Sequence, residues 1–425
     1  MRGNLHSRML RPTTVRNVLC LHPGFFIVSV NPHCSLGDFS AMPVPAKVLD
    51  KVITPPRMRD TILGSILIRS VDEDFQVEEI PSYALKGSGQ HAWLWVEKRG
   101  LTSSRMINLI SSRLEIRGND VGVAGQKDRH AVTRQYVSVP ARCADAAARI
   151  SEPQLKVLSV TLHKNRLKTG HHRGNRFRLT LRPAAGSPAF TSEDLTAVAA
   201  RLIELEQGGF PNYYGPQRFG LEGNTVNEGL RLLHGRLPAD YWPENQTRRL
   251  RRFALSSVQS AVFNLVLGAR IATASAGTPT TGDVVIRRGG IKPFMWPQDS
   301  TATDLIPAGP MFGPKMISSA GPVLEQEFAA LQTLGLTGEE FSRFSSLTSG
   351  ARRGMLEFPS ECSAQLTDDG NLCLQFCLSS GTYATTLLRE IAETVTDRDD
   401  PASSGVQPET DHPEADSSEA ETSPG

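Results

Sequence analysis

Irregular alternation of helical and strand-like segments constrains the fold of this chain more than any other feature. Apolar residues recur at helical spacing in three segments: 104–114, 191–207 and 256–272. Alternating or continuous apolar runs predict four strands: 121–124, 135–139, 177–181 and 372–378. The segments do not follow the regular β-α-β rhythm of an all-parallel sheet. The sequence therefore predicts an α+β fold, with a mixed or antiparallel sheet flanked by helices.

Length and charge limit the number of domains and the kind of partner. The 425 residues are enough for two or three domains. The formal charge is +2, but the segment 397–425 holds nine acids and one base. That segment carries −8, which leaves +10 on residues 1–396 and favours an anionic partner. Because 397–425 is rich in Ser, Pro, Glu and Asp, we predict a disordered acidic tail.

Residues 1–46 differ in composition from the rest of the chain. They hold four arginines, only one acid and an apolar run at 18–21. A basic start followed by an apolar run is similar to a targeting peptide. The residues His-Pro-Gly at 22–24 interrupt the run, so we favour a disordered extension, or an upstream start preceding Met42.

Membrane, metal and cofactor signals are weak in this sequence. The longest apolar run, 25–30, is far shorter than the roughly 18 residues that a membrane helix needs, so we predict no span. The six cysteines form no Cys-x-x-Cys pair, which favours free thiols in a reducing cytoplasm. Without a phosphate loop, a dinucleotide-binding motif or His-Glu-x-x-His, we predict an enzyme that uses no metal and no cofactor.

The segment 124–133 reads AGQKDRHAVT and places Asp128 between Lys127 and Arg129. It connects two short predicted strands, and loops of this kind carry catalytic groups. Adjacent cations favour the ionised form of a carboxylate and also bind phosphate oxygens. We therefore predict Asp128 as a catalytic residue, with Lys127 and Arg129 in substrate binding. A solvated turn is the alternative, and the spacing alone favours it.

A basic segment, 164–182, holds seven lysines and arginines and no acid. A basic loop that leads into an amphipathic strand is typical of a track for phosphates. We predict that Lys164, Arg166 and Lys168 contact nucleic acid. The alternative is a solvated run of charge, although the segment itself offers no acid to balance it.

Aromatic, amide and basic residues are concentrated in 211–220, PNYYGPQRFG. An unstacked base needs a ring to stack on and amides for its edge, which Tyr214 and Asn212 would supply. Arg218 would contact the backbone. A turn that fills the core is the alternative. A further segment, 381–385 (GTYAT), precedes a predicted helix whose N-terminus would favour an anion.

The order of these segments resembles the TruD family of tRNA pseudouridine synthases. The segments 124–133 and 212–220 are similar to the two signature motifs of that family. Further similarity is found in the family's order at 74–80, 174–177, 350–353, 381–385 and 388–390. Together these segments cover roughly residues 47–396, and both ends of the chain lie outside the resemblance.

The resemblance implies the pseudouridine synthase fold, a mixed and mostly antiparallel sheet with a cleft. It also implies an inserted TRUD domain, which we place at 238–350. The catalytic domain would then comprise 47–237 and 351–396, the second part supplying the last strand and helix.

The resemblance also implies site residues and a substrate. Asp128 takes the position of the catalytic aspartate, and Tyr214 stands where many members have a phenylalanine that stacks on the target base. Asn212 and Glu79 match positions near the active site. The family's usual substrate is uridine 13 in the D arm of tRNA, and its isomerisation is neither an oxidation nor a reduction. We expect tRNA as the partner, no cofactor, a monomer and a cytoplasmic location.

Two other functions remain open at this point. The first is an RNA-binding protein or chaperone with the same fold and no catalysis. The second is a pseudouridine synthase that acts on another RNA.

Overall fold

The computed structural model describes residues 44–82, 85, 87–244, 246–297 and 300–397. The α-helices of this part are α1 Ala46–Ile53, α2 Ser103–Arg113, α3 Ala144–Ala147, α4 Ser192–Gly208, α5 Asn224–Leu233, α6 Thr247–Ala272, α7 Gly321–Thr333 and α8 Ala384–Leu388. The strands are β1 Leu63–Ile68, β2 Phe75–Pro81, β3 His91–Arg99, β4 Gly122–Val123, β5 Val132–Pro140, β6 Ser151–Glu152, β7 Leu155–His163, β8 His172–Pro183, β9 Phe210–Pro211, β10 Val284–Arg287, β11 Phe294–Met295, β12 Leu305–Met311, β13 Ala351–Gly354, β14 Leu356–Glu357, β15 Ser360–Leu366, β16 Leu372–Ser379 and β17 Ala392–Asp397.

One large mixed sheet organises the molecule. Its central path is β15-β16-β8-β2-β5-β3-β7-β6, with β1, β17 and β4 paired beside that path. Most neighbours are antiparallel, whereas β2 with β5 and β1 with β17 are parallel. The predicted α+β class, with a mixed and mostly antiparallel sheet, is confirmed. The first residue of β5, Val132, pairs with Gln76 of β2 and Arg99 of β3, so the connection before β5 lies at this edge of the sheet.

Two apolar cores hold helices against the sheet. Helix α2 covers β3, β5 and β7, and its Met106 is buried with Leu94 and Val96. Helices α4 and α8 bury Leu202 and Leu388 in a second core. Each such side chain contributes about 1.5–3 kcal/mol on burial, so the sheet edge that carries the connection is rigidly supported.

The predicted helices are confirmed, with one change in length. Helix α4 begins with a capping box, in which Thr191 accepts from the backbone N–H of Asp194 and Asp194 accepts from that of Thr191. Helix α6 begins nine residues before the predicted start at 256. Leu250 and Ala254 are buried four residues apart, and the two arginines between them conceal the apolar pattern.

A second body packs around helix α6. It holds the sheet β11-β10-β12-β13 and the helices α5, α6 and α7, and its core also takes in Val52, Tyr213 and Phe219. Strand β13 pairs with β12, although it begins after position 350. The predicted domain boundaries at 238 and 350 therefore do not coincide with the limits of this core.

The described ends differ by a few residues from the predicted ones. Val44 is buried, and its backbone N–H donates to Asn227 Oδ1 at 3.0 Å, so Val44 packs on the body of the protein, and Ala46 begins α1. Asp397 is the last residue of β17 and lies one position inside the segment predicted as tail. The rest of the predicted extension and tail, 1–43 and 398–425, falls outside the described residues.

Among the described residues, α6 is the helix that is long and apolar enough to cross a membrane. Its most apolar window is 72% buried inside the protein. This is the arrangement of a core helix.

Candidate active site

Asp128 lies on the loop between β4 and β5, and its side chain is 42% exposed. Its Oδ2 accepts a hydrogen bond from Arg69 Nη2 at 3.0 Å. The other amino group of the Arg69 guanidinium bonds Asp397 at the end of β17. A carboxylate in reach of solvent is thus held by a buried cation, which leaves one face of the carboxylate open to a substrate.

The backbone of Arg69 adopts a conformation that is rare for a non-glycine residue. It follows β1 with φ at 56°, the left-handed region that costs a non-glycine residue about 1–3 kcal/mol. The guanidinium is 4% exposed and lies 3.7 Å from the centroid of the Phe75 ring. Strain of this size is retained where the surrounding structure requires the side chain in one position.

Lys98, on strand β3, binds the backbone of the same loop. Its ammonium donates to the carbonyl oxygens of Leu101 and Asp128, both at 2.7 Å, and the side chain is fully buried. Burial lowers the pKa of Lys98 to about 8, although Asp128 acts in the opposite direction. The carbonyl of the candidate catalytic residue is therefore fixed by a cation that the sequence analysis did not single out.

The ammonium of Lys127 pairs with a carboxylate other than that of Asp128. Its ammonium pairs with Glu79 Oε2 at 3.2 Å, and both side chains are buried. Glu79 also accepts from the backbone N–H of Tyr136, and burial raises the pKa of Glu79. The Lys127 backbone N–H donates to Ser103 Oγ at 3.0 Å. Lys127 and Glu79 thus anchor the loop to β2, because the chain turns the lysine toward the sheet.

This buried pair leads to a stability prediction. Glu79→Gln leaves the Lys127 ammonium buried without its anion, and we expect a loss of about 3–5 kcal/mol in the free energy of unfolding. In the double variant Glu79→Gln/Lys127→Met the uncompensated charge is gone, so its loss should be smaller than the sum of the two single losses. Urea denaturation of the wild type, Glu79→Gln, Lys127→Met and the double variant measures the coupling energy between the two side chains. Strictly additive losses in the free energy of unfolding would contradict an interaction between Glu79 and Lys127.

Arg129 makes no ion pair with the Asp128 carboxylate among the described residues. It lines a polar depression of about 370 Å³ together with Asp72, Glu73, Arg99, His130 and Gln154 among others. The partner of the carboxylate comes instead from Arg69, 59 positions earlier.

Tyr214 is positioned by a buried amide. Asn264 of α6 accepts from the backbone N–H of Tyr214 and donates to its carbonyl, both at 2.9 Å. The Tyr214 hydroxyl donates to the sulfur of Met311 at 3.6 Å, so it faces the second body. The ring packs edge-on against Phe263 and, at 6.3 Å between centroids, against Tyr383.

Arg353 joins the segment of Tyr214 to that of Tyr383. Its guanidinium bonds the side-chain and main-chain oxygens of Asn212, the latter at 3.1 Å. It also donates to the carbonyl of Gly381 at 3.0 Å and lies 4.2 Å from the centroid of the Tyr214 ring. Asn212 is buried and donates to the carbonyl of Gly354. Asn212 is therefore a structural link in this structure, with its side chain already engaged on both atoms.

Tyr383 relates these groups to Asp128. Burial raises the pKa of Tyr383, whereas Arg218 and Arg353 act to lower it. Tyr214 and Asp128 raise it further, so the carboxylate and the aromatic group lie within electrostatic reach of one phenol. Arg218 is held by the hydroxyls of Ser256 and Ser260 on α6, at 2.8 and 3.2 Å. Tyr383, Arg218 and Arg353 thus surround the Tyr214 ring, and Asp128 lies within electrostatic range of Tyr383.

The basic segment 164–182 is divided by the structure. Its C-terminal arginines belong to β8, where Arg182 pairs with Asp74 and Arg176 with Glu78. Strand β2 and the turn before it supply these acids, so the segment 164–182 alone does not reveal them. Lys164 and Lys168 are exposed on the connection before β8. Arg166 instead donates to the carbonyl of Val121 at 3.1 Å, beside the start of the Asp128 loop.

The segment 381–385 does not form the predicted anion site. Helix α8 spans only five residues, and Thr386 Oγ1 donates to the carbonyl of Tyr383 at 2.6 Å. Glu390, after the helix, accepts from the backbone N–H groups of Met58 and Arg59. The segment instead contributes Tyr383 to the site and closes the core.

Sequence reasoning missed four residues of this site: Arg69, Lys98, Arg353 and Tyr383. Three of them had a signal. Arg353 and Tyr383 fall in segments that resemble the family. A lysine in an apolar strand, at the same alternate positions as Leu94 and Val96, was a signal for Lys98. Arg69 had none, since its proximity to Asp128 arises from strand pairing.

Comparison with known proteins agrees with this geometry. A family model described as tRNA pseudouridine synthase D (TruD) matches residues 60–240 and 244–391. This chain belongs to the TruD family. The tRNA pseudouridine synthase D of Anaeromyxobacter sp. (strain Fw109-5) is 35% identical over 336 residues, which are 76% of this chain and 91% of that protein. A Thermus thermophilus protein of the same name is 35% identical over 331 residues, 76% and 88% of the two chains.

A solved structure extends the TruD comparison to the fold. The crystal structure described as tRNA pseudouridine synthase D (TruD) from Methanosarcina mazei covers 83% of this chain and 99% of its own. The TM-score is 0.64 and the sequence identity 23%, so the two proteins share the pseudouridine synthase fold.

Proposed function

We propose that this protein is a tRNA pseudouridine synthase that isomerises uridine 13 in the D arm of tRNA. The observation that carries the proposal is the open carboxylate of Asp128, which is held by Arg69 and lies within electrostatic range of Tyr383, whose ring packs against that of Tyr214. Family membership supplies the reaction class, and the site supplies a reacting group next to a surface for a base.

The proposed reaction moves one bond of the nucleoside. The bond between C1′ and N1 breaks, the freed uracil turns, and a bond between C1′ and C5 forms, after which C5 loses its proton to solvent and N1 takes up a proton from solvent. Asp128 acts as a nucleophile or base at the ribose, or assists removal of the 2′ proton. Arg69 compensates the charge of Asp128, and Lys98 fixes the position of its backbone.

The target uridine must leave its stack to reach Asp128. We propose that Tyr214 stacks on the base and that Tyr383 closes the other side of the same pocket. Arg353 lies 4.2 Å from the Tyr214 ring centroid and keeps the ring in place. Arg218 and the exposed Lys164 and Lys168 contact the RNA backbone around the flipped nucleotide.

The assay for this proposal follows tritium at C5 of uridine. A tRNA transcript labelled at every uridine C5 should release tritium with the protein, and the same transcript with cytidine at position 13 should release none. Release that persists without uridine 13 would contradict the proposed position. Release from an unrelated RNA at the same rate would favour the alternative of a synthase for another RNA.

Tyr214 gives a prediction about the pocket. The hydroxyl of Tyr214 is turned to Met311, so Tyr214→Phe should change kcat/KM by less than about twofold. Tyr214→Ala removes the stacking ring, worth about 1–3 kcal/mol, so kcat/KM should fall by about 5- to 150-fold. Steady-state tritium release measures both, and equal losses in the two variants would rule out stacking as the role.

Several features of the whole protein stay proposals. We propose a monomer in the cytoplasm that needs no cofactor, with a TRUD domain near 238–350. An RNA chaperone without catalysis remains the alternative of a different class. It predicts tight tRNA binding and no release of tritium.

A further inference from the structure

The N-terminal half of helix α6 carries a ridge of arginines. Arg248, Arg252, Ser256 and Ser260 are four residues apart and follow one ridge of the helix. Arg248 and Arg252 are exposed. Ser256 and Ser260 hold the guanidinium of Arg218, which lies 5.6 Å from the Tyr214 ring centroid. The arginine ridge, defined as Arg248, Arg252 and Arg218, thus ends at the candidate active site.

Helix stability does not explain these arginines. The first turn of α6 contains no acid, and the N-cap Gln246 makes no capping bond with its side chain. Arg248 lies in the first turn, where a cation opposes the helix dipole and costs about 0.3–1 kcal/mol. Like charges four residues apart add a similar penalty. The ridge therefore lowers the local stability of α6, which indicates that these arginines serve binding rather than folding.

Neighbouring groups do not neutralise the ridge. Among the described residues, Arg248 and Arg252 have no ion-pair partner. Arg182 and Arg270, in contrast, are matched by carboxylates of adjacent elements. An exposed and unmatched row of guanidinium groups fits a polyanion, because each planar fork can bind two phosphate oxygens.

We infer that the arginine ridge binds the ribose-phosphate backbone of the substrate RNA next to the flipped uridine. From Ser260 to Arg248 the helix rises about 18 Å, so the ridge can follow several successive nucleotides. This inference rests on the proposed function, since it uses the same RNA and the same pocket. It adds the direction in which the RNA leaves that pocket, along α6 toward its N-terminus.

The test is the double variant Arg248→Gln/Arg252→Gln. A matched control is Arg142→Gln/Arg149→Gln, which removes two exposed arginines of the sheet domain and changes the net charge equally. The dissociation constant for the tRNA transcript is measured from 50 to 300 mM salt. We expect the ridge variant to bind at least about tenfold more weakly at low salt, with a slope of log K against log salt shallower by about 1.5. The control should bind as the wild type does.

Kinetics and stability separate binding from a structural role. The ridge lies away from the reacting bond, so KM should rise while kcat stays within about twofold. Thermal unfolding should occur at the same or a higher temperature, because the opposing charges are removed. Lower stability with unchanged RNA binding would overturn the inference, as would equal weakening by the control pair.

Failure of the inference is distinguishable from failure of the proposed function. If the wild type released no tritium, the proposed reaction would be contradicted. The tRNA dissociation constants of the ridge variant and the control pair would still test the ridge. If the wild type were active and the ridge variant kept wild-type KM and salt slope, the ridge would not contact RNA. That result would leave a protein partner as the occupant of this face.

Discussion

Asp128→Asn should abolish isomerisation while tRNA binding remains. Asparagine keeps the shape of the side chain but is a poor nucleophile and base, so we expect kcat for tritium release to fall by at least about 10³-fold. The Arg69 guanidinium keeps Asp397 as a partner, so the loop should stay folded. Because one negative charge leaves the RNA-facing surface, the dissociation constant for tRNA should be unchanged or lower.

Matched variants make this result specific. Asp120→Asn changes a carboxylate that pairs with Arg117 at 3.2 Å, a few residues before the same loop, and should keep full activity. Circular dichroism and thermal unfolding establish that both variants are folded. Tritium release by Asp128→Asn at a rate close to that of the wild type would remove Asp128 from the chemistry.

Lys98→Met is the second change with a large expected effect. Methionine is similar in length but leaves the carbonyls of Leu101 and Asp128 without their donor. A displacement of the carboxylate by about 1 Å is enough to cost about 10²-fold in kcat, and we expect a loss of that size with KM within twofold. Relief of the desolvation of a buried ammonium opposes the cost of the unpaired carbonyls, so stability should fall by less than about 3 kcal/mol.

The pH dependence tests whether Lys98 acts through its charge. Burial lowers the pKa of Lys98 to about 8, so the ammonium that holds Asp128 is present below that pH and is lost above it. Wild-type kcat should therefore decline above pH 8, and Lys98→Met should lack that decline. The unfolded chain binds this proton up to about pH 10.4, so the contribution of Lys98 to stability should rise with pH between 8 and 10.4.

Lys156→Met, an exposed change on the neighbouring strand β7, is the control and should match the wild type. A folded Lys98→Met protein with unchanged kcat and an unchanged alkaline limb would contradict the role of Lys98.

Local patterns predicted much of the fold. The capping residue Thr191 and the apolar face of α4 specify that helix in the sequence alone, because its signals are local. The first turns of α6 were missed because exposed arginines interrupt the apolar spacing there. Strand β17 was missed because its polar residues pair with β1, a segment more than 300 positions away, rather than following a pattern of their own.

The site residues also divide into those that local sequence reveals and those that only strand pairing brings together. Asp128 and Tyr214 were found because the segments around them are unusual in composition. Their partners were not, since Arg69 approaches Asp128 through the order of the strands and Lys98 through the pairing of β3 with β5. The partner of Lys127 was not found either, because Glu79 lies on the separate strand β2.

A single-turnover measurement tests the central claim most directly. The protein, in excess over a tRNA transcript labelled with tritium at the C5 of uridine 13 alone, is followed until release is complete. We expect release of nearly all the label by the wild type and none by Asp128→Asn, with both proteins binding the transcript. Saturated binding of the transcript by the wild type with no release of tritium would contradict it.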